Sequence, residues 1–210
     1  MTDEGKYSRL QISLNEFTNN LIQIESSRDR LLKENRDIIA NCSKAIILLH
    51  GNKITQASEI LKNTFTSLQS LKKLIISDLD RYIWPAEQEY VEAVILLEII
   101  EKKEILSNNT DLNISHNAYL TGLLDCIGEI KRMIYDKLRI NDFETCISLF
   151  DIMQSIFDHA YPFAIYDNIV PGVRKKLDVS KRIIEDVRIT ITEEVRRKDF
   201  LTRLENKIQQ

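Results

Sequence analysis

Glycine and proline are both scarce, with 5 and 3 among 210 residues. Hairpin turns, bulges and glycine-rich phosphate loops need such residues, so the shortage excludes a turn-rich β fold and points to long helices with few loops. Cysteine is limited to Cys42, Cys126 and Cys146, with no CxxC pair. An odd count set in apolar stretches excludes a disulfide framework and fits reduced, buried thiols in a reducing compartment. Long hydrophobic runs are missing too. Ala93–Ile100 is interrupted by Glu98 and is far too short to span a bilayer. The polar start MTDEGKYSRLQ lacks the pattern of a signal peptide. These absences predict a cytoplasmic protein with no membrane partner. A basic excess is absent as well, since 29 basic residues face 32 acidic ones for a net charge of −3. That balance counts mildly against nucleic-acid binding, yet it leaves room for a basic patch on one face.

What is present is a composition of 43% hydrophobic and 29% charged residues, which suits a folded globular chain and not a disordered one. The length suits one sizeable core, so residues 1–210 read as a single domain. Apolar residues recur at helical spacing from Leu10 through Leu14, Phe17, Leu21, Ile24, Leu31 and Ile38 to Leu49. They predict one very long helix, with a candidate break at Ser26-Ser27 and a stop at Gly51-Asn52. A second helix is expected over 55–79, and a third from Trp84-Pro85 to about Leu106. The polar stretch 107–115 reads as a loop. A fourth helix is expected over 117–138, and a fifth runs from an Asn141-Asp142 cap to His159. Residues 161–173 read as a short helix or turn, and a last helix covers 173–206. No self-similar period supports a solenoid. The expected architecture is all-α, a single bundle of about seven helices.

Two of these helices carry paired acids. Glu89 and Glu92 are three apart, and Asp125 and Glu129 four apart, so each pair shares a helical face. Both lie in apolar surroundings, which turns them toward a partner helix, and Gly122 and Gly128 would let that helix come close. Like charges packed at low dielectric repel. A divalent cation removes that cost, and an all-oxygen set without His or Cys favours Mg²⁺, or Mn²⁺ in its place. Such an ion would activate water and stabilise charge building on a phosphate. On spacing alone the pairs read more readily as solvated surface than as a metal site, since 32 acids generate such spacings by chance.

The same stretches carry a family resemblance. Trp84-Pro85-Ala86-Glu87-Gln88 with Glu89-Tyr90-Val91-Glu92-Ala93 resembles the family of translin and its partner Trax, and Gln88–Ala93 resembles the Trax branch in particular. The run from Tyr119 through Gly122, Asp125, Gly128 and Glu129 to Arg132-Met133 is similar to a second Trax signature. Weaker similarity covers Arg36-Asp37, Ile47–His50 and Val173–Leu177. The resemblance implies an all-α subunit of about seven helices that assembles into closed octamers. It further implies a Trax-type subunit cutting single-stranded RNA with Mg²⁺. Its catalytic acids would fall on Glu89, Glu92 and Asp125, with Glu129 as a further metal ligand, a neighbour of one or a structural acid. The loop before the fourth helix is shorter than in many Trax chains, and their basic N-terminal extension is missing. Both a homo-octamer and a hetero-oligomer with a translin-like subunit therefore remain open.

Phosphate contacts would come from basic residues near the acids, with Arg28, Arg30, Lys33 and Arg36 at helical intervals and Lys131 and Arg132 after the second acidic pair. Solvated helix faces explain such runs equally well. Trp84 and Tyr90 read as base-stacking candidates or as packing anchors. His50, His116 and His159 have no partner suggesting a triad, and Cys126 reads as a small buried residue. Three functions compete with the nuclease. A translin-type protein would bind single-stranded RNA or DNA without cutting, but it would not need Glu89, Glu92 and Asp125. An all-α nucleotide pyrophosphatase would use ExxE…ExxD, which the four-residue Asp125–Glu129 spacing does not match. A purely structural bundle would have no use for either signature.

Overall fold

The computed structural model describes residues 7–208; the polar segment 1–6 lies outside the described residues. Six α-helices account for nearly all of it: α1 (Ser8–His50), α2 (Ile54–Lys72), α3 (Trp84–Lys102), α4 (His116–Leu138), α5 (Phe143–Ala160) and α6 (Val173–Ile208). Two 3₁₀ turns, Asp80–Tyr82 and Tyr161–Tyr166, bring the helical segments to eight. No strand occurs among the described residues. No helix is long and apolar enough to cross a membrane.

α1 runs unbroken through Ser26-Ser27 for 43 residues, about 65 Å at 1.5 Å per residue. The expected break does not form because Ser27 Oγ donates outward to the Leu74 carbonyl at 2.6 Å, leaving the helical ladder intact. Burial on α1 begins only at Leu31. The earlier part of its apolar stripe, Leu10, Leu14, Phe17 and Leu21, is more than half exposed. The turn after α1 is made by Asn52, whose φ of 57° is left-handed, while Gly51 stays at −80°. α2 then returns along the second half of α1, burying Leu61, Leu68 and Leu71.

α2 ends at Lys72, seven residues before the expected Leu79. From Lys73 to Ile75 the backbone bonds tighten to three-residue spacing, and Ser77 turns left-handed with φ 52°. The chain thereby reverses to bury Leu79 and Ile83, which a continued helix would have carried away from the core. α3 begins at Trp84 with Pro85 in its first turn. It stops at Lys102 instead of Leu106 because Lys103 adopts φ 58°. Glu98 then draws the chain back, accepting from the backbone N–H of Leu106 (2.8 Å) and Ser107 (3.1 Å). The caps of α4 and α5 are Ser115 and Asp142, whose side chains accept from Ala118 N and Thr145 N.

α3 and α4 form the central seam: α1 and α2 cover α3, and α5 and α6 cover α4. Gly122 makes that seam tight. A Cβ there would stand 2.6 Å from the Gln88 carbonyl and 2.8 Å from Val91 Cβ. Gly128 does not do the same, since a Cβ there would meet nothing within 4 Å. Only Gly122 fulfils the expected close approach, because Gly128 faces the α4–α6 side.

Candidate functional site

The seam brings the two acidic pairs together. Glu89 and Glu92 project from α3 toward Asp125 and Glu129 of α4, and the four carboxylates act on one another electrostatically. Burial is the main force raising the Glu89 carboxyl above its ordinary range, with the Asp125 charge adding to it. Glu92 is affected most: burial, then Asp125, Glu89 and Glu129, push it up to about 8. Neither carboxylate has a hydrogen-bond or ion-pair partner among the described residues.

The other two acids do have partners, from elements that the acidic spacing could not indicate. Lys176 of α6 donates Nζ–H to Asp125 Oδ1, and Gln88 Nε2 donates to Asp125 Oδ2 at 2.7 Å. His50, at the end of α1 and with its side chain 5% exposed, donates from Nε2 to Glu129 Oε2. That hydrogen bond, helped by Arg132 at 3.9 Å, holds Glu129 below the usual carboxylate range. The expectation of a site without nearby His or Cys is therefore corrected. His50 touches an acid, and Cys42 and Cys126 form the buried wall beside the cluster. Burial first, then the Glu89 and Glu92 charges, push the Cys42 thiol up to about 12, which leaves it an inert neutral group.

Glu87, on another side of α3, is separate from the cluster. Its side chain is 1% exposed and accepts from Lys72 Nζ (2.6 Å), Ser115 Oγ (2.6 Å) and Ser115 N (3.2 Å). It ties α2 and the start of α4 to α3. Tyr90, a candidate for base stacking, is a packing anchor: it is 5% exposed, with its ring centroid 5.8 Å from that of Phe65.

The basic candidates divide by position. Arg132 reaches the cluster through Glu129, while Lys131 pairs with Asp186 at 3.4 Å and lies over the Tyr135 ring. Arg28 lies against Tyr82, and Arg30 pairs with Glu34 at 2.7 Å. Lys33 and Arg36 are exposed. Cys42 marks the level of the acids on α1, which places Arg36 about 9 Å and Arg28 about 21 Å away along the helix. Sequence reasoning did not assign Lys176 to the site. It also passed over His50, although the Ile47–His50 segment belonged to the resemblance.

As placed, no three His, Cys, Asp or Glu side chains among the described residues close around one point as metal ligands. The chemistry of the donor set nevertheless fits a hard divalent cation. Two carboxylates have no direct ion-pair partner, a third is paired with a lysine, and their mutual repulsion is what an ion would relieve.

The family described as Translin family matches residues 26–190. An uncharacterized protein of Methanocaldococcus jannaschii, MJ0175, is 26% identical over 91% of this chain and 88% of its own length. Translin-associated protein X of Rattus norvegicus is 24% identical over 88% of this chain and 78% of its own length. Among solved structures, the AfC3PO–duplex RNA complex superposes with a TM-score of 0.80 at 28% identity, covering 86% of this chain and 95% of that one. Apo-NeC3PO, at 19% identity and a TM-score of 0.74, shares the fold.

Proposed function

The chain belongs to the translin family, and from that membership and its acidic seam we propose that it is a metal-dependent endoribonuclease of the Trax type acting on single-stranded RNA. The observation that carries the reading is the convergence of Glu89, Glu92 and Asp125 from two facing helices, with the first two carboxylates unpartnered and raised by burial. Glu89, Glu92 and Asp125 would hold Mg²⁺, or Mn²⁺, with Glu129 beside them. When bound, the ion supplies Lewis acidity and offsets the charge that develops on the cleaved phosphodiester.

The chain's own groups have distinct tasks. Glu92 holds a proton in the metal-free site and would release it to solvent on binding the ion as a carboxylate. Gln88 fixes the orientation of the Asp125 carboxylate. His50 fixes Glu129 in the same way, keeping it ionised. Lys176 brings a positive charge to the edge of the cluster, where it would attract the phosphate.

Arg132, Lys131, Arg36, Lys33, Arg30 and Arg28 would carry the RNA backbone away from the cut. Removing Lys33 or Arg36 should lower the slope of log affinity against log salt by about one each. The neighbour solved with duplex RNA supports an RNA backbone as ligand, so duplex belongs beside the single strand in any test. The exposed apolar stripes of α1 (Leu10, Leu14, Phe17, Leu21) and α6 (Phe200, Leu201, Leu204) support assembly with further copies or with a translin-like subunit.

A second reading, an RNA- or single-stranded-DNA-binding protein that does not cut, is favoured by one observation. Lys176 and His50 already satisfy two of the four acids. Cleavage of labelled single-stranded and duplex RNA with Mg²⁺, with Mn²⁺ and with EDTA separates the two. The nuclease reading expects metal-dependent cutting that Asp125→Asn abolishes while RNA binding persists. Full activity of Asp125→Asn would overturn the site.

A further inference from the structure

A groove borders the acid cluster between α4 and the first half of α6. It encloses about 410 Å³, and its lining includes Leu124, Asp125, Gly128, Lys175, Lys176 and Ser180. Helical spacing accounts for it: Leu124, Asp125 and Gly128 share a face of α4, and Lys176 and Ser180, four apart, share one of α6.

Each side of the groove carries a feature that packing alone does not require. Gly128 is a helix-interior glycine whose missing side chain makes room for no other part of the protein, since a Cβ would meet nothing within 4 Å. Glycine there costs helix stability relative to alanine, and the space it leaves belongs to the groove. Ser180 is only 2% exposed and its hydroxyl has no hydrogen-bond partner among the described residues. Thr64 and Thr121, by contrast, return theirs to a carbonyl four residues back. The Ser180 hydroxyl keeps its donor and acceptor free at the cavity wall, open to a ligand or to water. Lys175 is exposed and has no ion-pair partner among the described residues, and Lys176 reaches across to Asp125.

From this juxtaposition we infer that the α4–α6 groove holds a ribose–phosphate unit of the RNA, on the nucleotide next to the bond that is cut. The inference rests on the RNA-cutting reading above and adds a substrate position to it. Lys175 and Lys176, close to the start of α6, supply the positive charge that a phosphate needs. Ser180 supplies the hydrogen bond to a phosphate oxygen or a ribose hydroxyl. Leu124, Val179 and Ile183 offer apolar wall to the sugar carbons. Contact with Asp125 sets this unit directly beside the acids.

The test is binding of a labelled single-stranded RNA to the whole protein in EDTA, read by fluorescence anisotropy, so that it does not depend on cleavage. Gly128→Phe fills the groove and should weaken binding at least about tenfold, whereas Gly128→Ala, which leaves it open, should change it less than about twofold. Ser180→Ala, nearly isosteric, should weaken binding about two- to tenfold. If thermal melting shows Gly128→Phe to be misfolded, Ser180→Ala decides. Unchanged affinity in Ser180→Ala, together with unchanged affinity in any Gly128→Phe protein that melts normally, would overturn the groove. The two readings fail separately. Wild-type protein that cuts RNA while the variants bind normally removes the groove alone. Wild-type protein that binds without cutting, with both variants weakened, removes the nuclease and leaves the groove.

Discussion

Lys176 of α6 donates its ammonium to Asp125 of α4, joining residues 51 apart in sequence at the edge of a four-carboxylate cluster. In the absence of a divalent ion this lysine is the cation paired with Asp125, as Arg132 is with Glu129. Lys176→Met should therefore lower the stability of the metal-free protein at neutral pH by about 1–2 kcal/mol. It should also tighten Mn²⁺ binding, because a competing positive charge is gone. Urea unfolding in EDTA and titration calorimetry with Mn²⁺ measure the two effects. Unchanged Mn²⁺ affinity would show that the ammonium and the ion do not compete.

The Glu92 carboxyl, pushed up to about 8 by burial and its acidic neighbours, makes stability depend on pH. The folded state holds its proton more tightly than the unfolded chain does. Glu92 therefore imposes no penalty below its ordinary range near 4.5, and stability falls as pH rises from there through about 8. Metal-free protein should accordingly lose stability between pH 5 and pH 8, and Glu92→Gln should flatten that slope and raise the melting temperature at pH 8. Thermal melts across this range decide the point; parallel slopes in the two proteins would count against a buried, proton-holding Glu92.

Glu87 should behave in the opposite way although it stands only five residues from Glu92. Its carboxylate is buried and satisfied by Lys72 and Ser115. Glu87→Gln leaves the Lys72 ammonium without its counter-charge and should cost about 3 kcal/mol. Urea unfolding at pH 7 should find Glu87→Gln destabilised and Glu92→Gln stabilised.

Gly122→Ala should be destabilising despite the better helix propensity of alanine. The new Cβ would stand 2.6 Å from the Gln88 carbonyl, so α3 and α4 must move apart. Overpacking of this kind costs about 1–3 kcal/mol, against a propensity gain of about 1 kcal/mol. Cleavage should fall further than stability does, since the same seam sets the distance between Glu92 and Asp125. Equal stability of the two proteins would mean that the seam relaxes without cost.

The all-α character was legible because periodicity, together with the shortage of glycine and proline, is a local property of the chain. The start at Trp84-Pro85, the Asp142 cap and the sharing of one face by each acidic pair were readable for the same reason. Helix ends were less so. α2 stops at Lys72 because Leu79 and Ile83 must reach the core, and α3 stops at Lys102 because Glu98 captures the chain beyond it. Both causes lie in contacts that no local pattern records.

The candidate site divides along the same line. Glu89, Glu92, Asp125 and Glu129 stood out because their spacing within each helix is fixed by 3.6 residues per turn. That α3 and α4 face each other across Gly122, that Lys176 and His50 arrive from helices at the two ends of the chain, and that Gly128 opens on a groove instead of a packed helix were decided only by the fold. Helical geometry determines which side chains share a face. Which faces meet depends on how six amphipathic helices bury their apolar stripes together, and that is a property of the whole chain.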